Sequence, residues 1–575
     1  MTSYRIEKGP FTATQIDAWS KLDPRFRNWP VVYALDGEDR IYVGESMGVA
    51  TRFRQHLATD KRLLRGARVV VDPTFNKSVC LDLEAFLIQR LSGDGTYQVM
   101  NRNVGITDRD YYGRQGYREV FTDIFEELRR DGLFSHSLPE IENSDLFKLS
   151  PFKALTDDQE VVVLDVLEGL FADIEAGSSS RVVVQGEPGT GKTVVAVYLM
   201  KLLSDVKAWD ASQQVETESP LAEFFLEGYP ELLRDFRLGF VVPQMSLRKT
   251  VQRVFKRTPG LQPSMVMSPF ELGGHMERFD LLVVDEAHRL RRSGNQAAGP
   301  LHKKFSNINV ELFGTDDPDL TQLDWIQAKS THQIYLLDVA QSIHTGDVPG
   351  RLLEQLTASS DEQHRSYRLS SQMRVQAGED YVGYARAVLT DEPPAPSRFV
   401  GYDLRFFDDM GQMRQTILDR NSEVGLARLV AGFAWPWTSK KDKDAYDIVI
   451  DGVEMRWNRT AEDWVNSPTS VEEVGVIHTI QGYDLNYAGV IIGRDLRFDP
   501  ESGRLSFDRA QYFDPSAAKN MPSRGITFSD DDILRLVRNI YAVLLTRGIL
   551  GTYVYVCDEP LRERLRPYFG GAARV

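Results

Sequence analysis

Cysteine is nearly missing from this chain: Cys80 and Cys557 are the only two in 575 residues, far apart and in no metal-ligand spacing. That excludes a disulfide framework and a thiolate zinc site. There is no run of about 18 apolar residues, the length a membrane-spanning helix requires. The opening MTSYRIEKGP has no apolar core of the kind a secretory signal carries. The expectation is a cytoplasmic protein without a membrane span. Internal repeats and long low-complexity tracts are absent too. Positive charge is in deficit, with a formal net charge of −15, which by itself argues against a polyanionic partner. Distribution counts for more than the sum. Arg52, Arg54, Lys61, Arg62, Arg65 and Arg68 crowd one short stretch with His56, opposed by Asp60 alone. This is either a solvated helix and loop or a phosphate-contacting face.

What is present is ordinary globular composition, 42% hydrophobic and 26% charged, in a chain long enough for about three or four units. Residues 30–35 and 40–44 read as a hairpin around Asp36-Gly37-Glu38-Asp39, followed by a helix at 48–58, a strand at 68–72 and a helix at 79–91. Residues 118–150 read as a helix and then an acidic, polar linker. From about 151, apolar strands at 181–185, 238–242, 280–284, 334–337, 474–478, 488–492 and 551–557 alternate with helical patterns, which predicts parallel α/β sheets. The polar stretches 205–235 and 291–330 read as insertions, and the boundary between two α/β halves falls near 345–365. The expected organisation is a small domain over 1–117, a linker over 118–150, and α/β domains over 151–350 and 351–575.

Gly186-Glu-Pro-Gly189-Thr-Gly191-Lys192-Thr193 follows a short apolar strand and opens a helix, the context a P-loop requires. Backbone N–H groups freed by the glycines close around phosphate, Lys192 reaches the β- and γ-phosphates, and Thr193 binds Mg²⁺. A second apolar strand ends in Asp285 and Glu286. Asp285 is expected to hold the Mg²⁺ of ATP, and Glu286 to activate the attacking water.

Further motifs resemble those of superfamily 1 helicases. Leu155-Thr-Asp-Asp-Gln159 is similar to the adenine-reading motif, and Val241-Val-Pro243-Gln244 to the segment that meets the nucleic-acid strand. Leu336-Leu-Asp338-Val-Ala-Gln341 is similar to the γ-phosphate-sensing motif. Leu369-Ser-Ser-Gln372-Met-Arg374 and Thr546-Arg547-Gly548 resemble the arginine motifs, and His478-Thr479-Ile-Gln481-Gly482 a strand-contacting one. The planar cations of Arg374 and Arg547 suit phosphate. The letters DEAH at 285–288 point to superfamily 2, but the glutamine and arginine motifs have superfamily 1 form. With Phe433-Ala-Trp435-Pro-Trp437, Trp457-Asn458 and Gly551-Thr-Tyr-Val-Tyr-Val, residues 151–565 resemble a bacterial helicase-like domain related to the helicase part of Schlafen proteins. The resemblance implies two RecA-like domains with parallel sheets.

Val31-Val-Tyr33 and Tyr42-Val43-Gly44 resemble the two halves of the GIY-YIG nuclease signature, with Val31-Val32 in place of Gly-Ile. Arg52 and His56 fall on one face of a helix at i, i+4. Glu84 lies on an otherwise apolar helix face, which requires a partner such as Arg52 or a cation. Asn101, or else Asn103, fits the late asparagine of that family. The resemblance implies a small α+β domain with a mixed sheet, over about 28–105. It also implies one Mg²⁺ or Mn²⁺ on Glu84, either Tyr33 or Tyr42 as base, and Arg52 steadying the phosphodiester. The basic stretch beside it then reads as a nucleic-acid face that includes Arg54. The expected function is an ATP-driven translocase carrying an endonuclease, on DNA before RNA, in defence against foreign DNA or in repair. The rival readings are a regulatory ATPase whose N-terminal domain binds without cutting, and an RNA-processing enzyme.

Overall fold

The computed structural model describes residues 4–102, 110–210, 219–226, 228–293, 299–338, 346–371, 380–460, 464–480, 483–514 and 529–569. The chain divides into two compact units. One contains Met1–Ser178, Thr193–Phe236 and Thr250–Val266; the other contains Ser179–Lys192, Arg237–Lys249 and Met267–Val575.

The first unit is built on a mixed sheet of β1 (Arg5–Pro10), β2 (Val31–Asp36), β3 (Arg40–Ser46), β4 (Gly66–Val71) and β5 (Gln98–Val99), in the order β1-β4-β2-β3-β5. The β3–β5 pair is parallel and the other pairs are antiparallel. Strand β2 is buried from Val31 to Leu35, and its two-residue period divides it between two cores. Val31, Tyr33 and Leu35 join Trp19, Phe26 and Phe53 on one face, while Val32 and Ala34 join Leu83, Leu87 and Ile88 on the other. The segment expected to be a linker is part of that second core. Phe121, Ile124, Phe125 and Leu128 recur at helical spacing along Arg114–Arg130 and are buried, followed by Leu133, Phe134 and Ile141. The polar letters of 135–143 disguised a segment whose few apolar residues all point inward.

The second unit holds two parallel sheets. The first contains β6 (Arg181–Gly186), β7 (Leu238–Val241), β8 (Val266–Met267), β9 (Phe279–Val284), β10 (Ser330–Leu337) and β11 (Ser366–Leu369), in the order β11-β6-β10-β9-β7-β8. The apolar runs Val182–Val184 of β6, Leu281–Val284 of β9 and Ile334–Leu337 of β10 are buried and fit strands covered on both faces. Strand β11 pairs with β6 from Ser366↔Val183 to Leu369↔Gly186. The first sheet therefore reaches past the boundary expected at 345–365, because a four-residue edge strand has too few letters to show a period.

Strands β12 (Asp403–Phe406) and β13 (Ala427–Ala431) begin the second sheet. A hairpin of β14 (Ile448–Ile450) and β15 (Val453–Met455) precedes β16 (Val474–Val476) and β17 (Leu485–Ile492). A second hairpin, β18 (Leu496–Asp499) and β19 (Arg504–Phe507), precedes β20 (Gly548–Val556), and the sheet order is β12-β20-β17-β13-β16. Among the described residues no helix is long and apolar enough to cross a membrane.

Candidate functional site

In the N-terminal sheet, the register places Tyr33 opposite Gly44 and Leu35 opposite Tyr42. Tyr33, Tyr42 and Gly44 thus share one face, with the two rings 6.3 Å apart. Gly44 is required by contact: a Cβ there would sit 2.4 Å from the Tyr33 hydroxyl. The Val49–Leu57 helix covers this face, its Phe53 edge-on to Tyr33 at 4.9 Å. One turn further on, buried His56 brings Nε2 to 2.7 Å from Tyr33 Oη. Arg52, four residues before His56, hydrogen-bonds Tyr33 and donates to Gln55 Oε1 at 3.2 Å. Buried Asn101 holds the signature strand in place: its Nδ2 donates to Val43 O at 2.7 Å and its Oδ1 accepts from Val43 N at 3.1 Å.

Glu84 enters from the Lys77–Asp94 helix, on the other face of the sheet, and lies within electrostatic range of Tyr33, Arg52 and Glu45. Burial and then the charge of Glu45 push its carboxyl up to about 8, against Lys77 and Arg52. Sequence reasoning missed Glu45, the residue after the signature glycine. Its Oε1 pairs with Lys77 at 2.9 Å, and its Oε2 is buried with no hydrogen-bond partner among the described residues. Among the described residues no group of three or more His, Cys, Asp and Glu side chains gathers as a metal site; Glu84 and Glu45 bring two carboxylates together, the number with which a protein holds Mg²⁺ when substrate phosphates supply the rest. His56 is driven down to about 3 by burial, then by Lys61 and Arg52, and so stays neutral. Tyr33 is raised well above the ordinary phenol by burial, then by Tyr42, against Arg52.

The basic stretch is more committed than the sequence implied. Arg54 pairs with Asp17 at 2.6 Å, Arg68 with Asp36, and Lys61 lies 3.8 Å over the Tyr42 ring. Arg62 and Arg65 are exposed.

The P-loop follows β6 in the second unit. Gly189 and Gly191 have φ of +90° and +81°, which side-chain-bearing residues rarely adopt. Lys192 is buried and donates to the carbonyls of Gly186 at 2.6 Å and Glu187 at 3.0 Å. It opens the Lys192–Lys207 helix, with Thr193 as the second residue. Fully buried Asp285 accepts the Glu286 N–H at 2.9 Å. Glu286 has φ of +52°, unusual for a side-chain-bearing residue, just after the end of β9. Burial opposes its ionisation, but His288, Lys192 and Arg289 outweigh that and hold it below the ordinary carboxylate range. His288, which sequence reasoning gave no role, accepts the Asp338 N–H on Nδ1 and turns Nε2 to within 3.2 Å of Glu286. Arg386, also missed, lies 3.2 Å from Asp338 and 3.5 Å from Glu187. No short motif marked it.

The remaining expected residues are more dispersed. In the first unit, fully buried Gln159 accepts the Thr156 N–H through Oε1 in a capping box. Pro243 and Gln244 follow β7; the Pro243 carbonyl accepts from Arg248 and Gln244 donates to Ser246 at 3.2 Å. Thr479 is buried and donates to Val476 O at 2.7 Å. Arg547 is buried at the foot of β20, donating to Tyr483 O at 3.4 Å. Trp435 and Trp437 each pack against Trp457 at 6.2 Å. Gln341, Arg374, Gln481, Gly482, Asn103 and the side chain of His478 lie outside the described residues.

Comparison with known proteins bears on the larger part of the chain. An uncharacterized protein of Saccharomyces cerevisiae is 27% identical over 406 residues, 67% of this chain and 83% of its own length. The ATP-dependent DNA helicase RecG of Borreliella burgdorferi is 25% identical over 224 residues, 34% of this chain and 31% of RecG. The crystal structure of Pif1 helicase from Bacteroides in complex with ADP-AlF3 and ssDNA is 10% identical with a TM-score of 0.26, covering 70% of this chain and 92% of that one. The family described as Schlafen group 3, DNA/RNA helicase domain, matches residues 179–558, which run from the strand before the P-loop to the end of the second parallel sheet. The chain belongs to that Schlafen group 3 DNA/RNA helicase family.

Proposed function

We propose that this protein is an ATP-dependent nucleic-acid translocase whose N-terminal domain is a metal-dependent endonuclease of GIY-YIG type, with DNA as its first substrate. The observation that carries the nuclease reading is the Tyr33–His56 hydrogen bond over Gly44, with Arg52 on the same tyrosine and Glu84 in range. Tyr33 is the tyrosine with a neutral imidazole to receive its proton. Its hydroxyl oxygen takes a proton from the attacking water as its own O–H hands one to His56 Nε2. An arriving phosphodiester offsets Arg52 and Lys61, two of the influences that keep His56 unprotonated. Arg52 steadies the charge gained at phosphorus. Glu84, with Glu45 beside it, would hold Mg²⁺ or Mn²⁺, which supplies Lewis-acid stabilisation when bound.

In the motor, Lys192, Thr193 and Asp285 would hold ATP and its Mg²⁺, and Glu286, kept ionised, would orient and deprotonate the hydrolytic water. Arg547 would take part in closure on the nucleotide.

Cleavage of single-stranded, duplex and forked DNA and of RNA, with Mg²⁺ and with or without ATP, tests the reading. Glu84→Ala is expected to lower cleavage by about 10²–10³-fold and to leave hydrolysis of ATP intact. Lys192→Ala is expected to do the reverse to ATPase activity. Cleavage that survives Glu84→Ala removes the metal assignment. A wild type that binds but cuts none of the substrates turns the reading into a regulatory ATPase.

A further inference from the structure

The first unit joins the N-terminal sheet to the helices that follow two motor motifs. Asn101 clips β3 at Val43, between Tyr42 and Gly44. The next residue is half-buried Arg102, whose charge is felt by Tyr42 of that strand. Its guanidinium carbon lies 4.1 Å from the centroid of the Trp209 ring and 5.8 Å from that of Phe225. Its charge also acts on Asp205, which pairs with Lys201 at 2.5 Å. Lys201 and Asp205 belong to the Lys192–Lys207 helix, and Trp209 stands two residues past its end. A helix of this length, about 24 Å, moves as a body. A displacement at the P-loop end therefore reaches Trp209. A planar cation stacked on an indole is sensitive to such a shift because its attraction depends on orientation as well as distance. A second contact runs the same way: Arg253, on the helix that follows Gln244, pairs with Asp145 at 3.0 Å.

We propose that Arg102 is a positioning residue that couples the nucleotide state of the P-loop to the Tyr42–Gly44 strand, through Trp209 and Asp205 on one side and Asn101 on the other. This rests on nucleotide binding at Lys192 as proposed above, and not on cleavage.

The test is amide hydrogen exchange of residues 40–46 in the full chain, with and without a non-hydrolysable ATP analogue. Nucleotide affinity and melting temperature are measured alongside. In wild type the analogue is expected to change exchange by about fivefold or more, the low end of ordinary coupling. In Arg102→Ala and Trp209→Ala the change is expected to fall below about twofold, with nucleotide still bound. Arg102→Lys, which keeps the charge but loses the plane, is expected to fall between. An undiminished response in both alanine variants overturns the coupling, as does a wild type that binds the analogue without responding. A wild type that does not bind the analogue overturns the ATPase reading instead. If Arg102→Ala does not fold, Trp209→Ala and Arg102→Lys carry the same comparison.

Discussion

The N-terminal site and the P-loop site both gather ionisable side chains in buried surroundings, yet burial has opposite consequences in them. In the N-terminal site it moves groups towards neutrality: His56 falls to about 3 and Glu84 rises to about 8. In the motor, burial also opposes the charge on Glu286, but His288, Lys192 and Arg289 overcome it. The lesson is that desolvation alone does not set a protonation state; fixed counter-charges decide whether a buried acid stays ionised. A neutral Tyr33–His56 pair suits a proton relay that becomes basic as an anion arrives, and an ionised Glu286 suits a carboxylate that orients a water by accepting its hydrogen bond.

The largest expected separation between the sites comes from Tyr33→Phe. Removing the hydroxyl is expected to lower cleavage by about 10²–10⁴-fold. ATP hydrolysis should stay at the wild-type rate, since Tyr33 lies in the N-terminal sheet. Comparable losses in both activities, measured on the same preparation, would mean that Tyr33→Phe damages the fold rather than the cleavage step.

A smaller effect probes the neutral imidazole. Because the folded value of His56 lies below its ordinary 6.5, its contribution to stability is full above pH 6.5 and is lost as the pH falls towards 3. His56→Gln is expected to be less stable than wild type near pH 7 by about 1 kcal/mol, the worth of the Tyr33 hydrogen bond. The gap should close and then reverse as the pH drops towards 4. Melting curves at a series of pH values measure it, and a gap that widens in acid would contradict the neutral assignment.

The smallest expected effect is on the exposed Arg54–Asp17 pair, whose side chains are 53% and 55% accessible. Arg54→Ala is expected to change stability by less than about 0.5 kcal/mol, as surface pairs do. If Arg54 also meets phosphate, the salt dependence of DNA binding falls by about one unit of slope. An unchanged slope in a binding titration would confine Arg54 to the surface pair.

What the sequence could show was set by distance along the chain. The P-loop, Asp285-Glu286 and the Tyr33–Tyr42–Gly44 face were legible because each depends on neighbouring letters or on the two-residue period of a hairpin. The parallel sheets were legible from their apolar runs, although the short edge strand β11 was not. Where Arg102 ends up against Trp209, Arg386 against Asp338, and the 114–130 helix against Leu83 and Leu87 was left to the tertiary structure. The same holds for the burial that neutralises His56 and for the companions that ionise Glu286. Local patterning fixes which face a side chain points to, but only the packed chain determines what waits on the other side and how much water is left there.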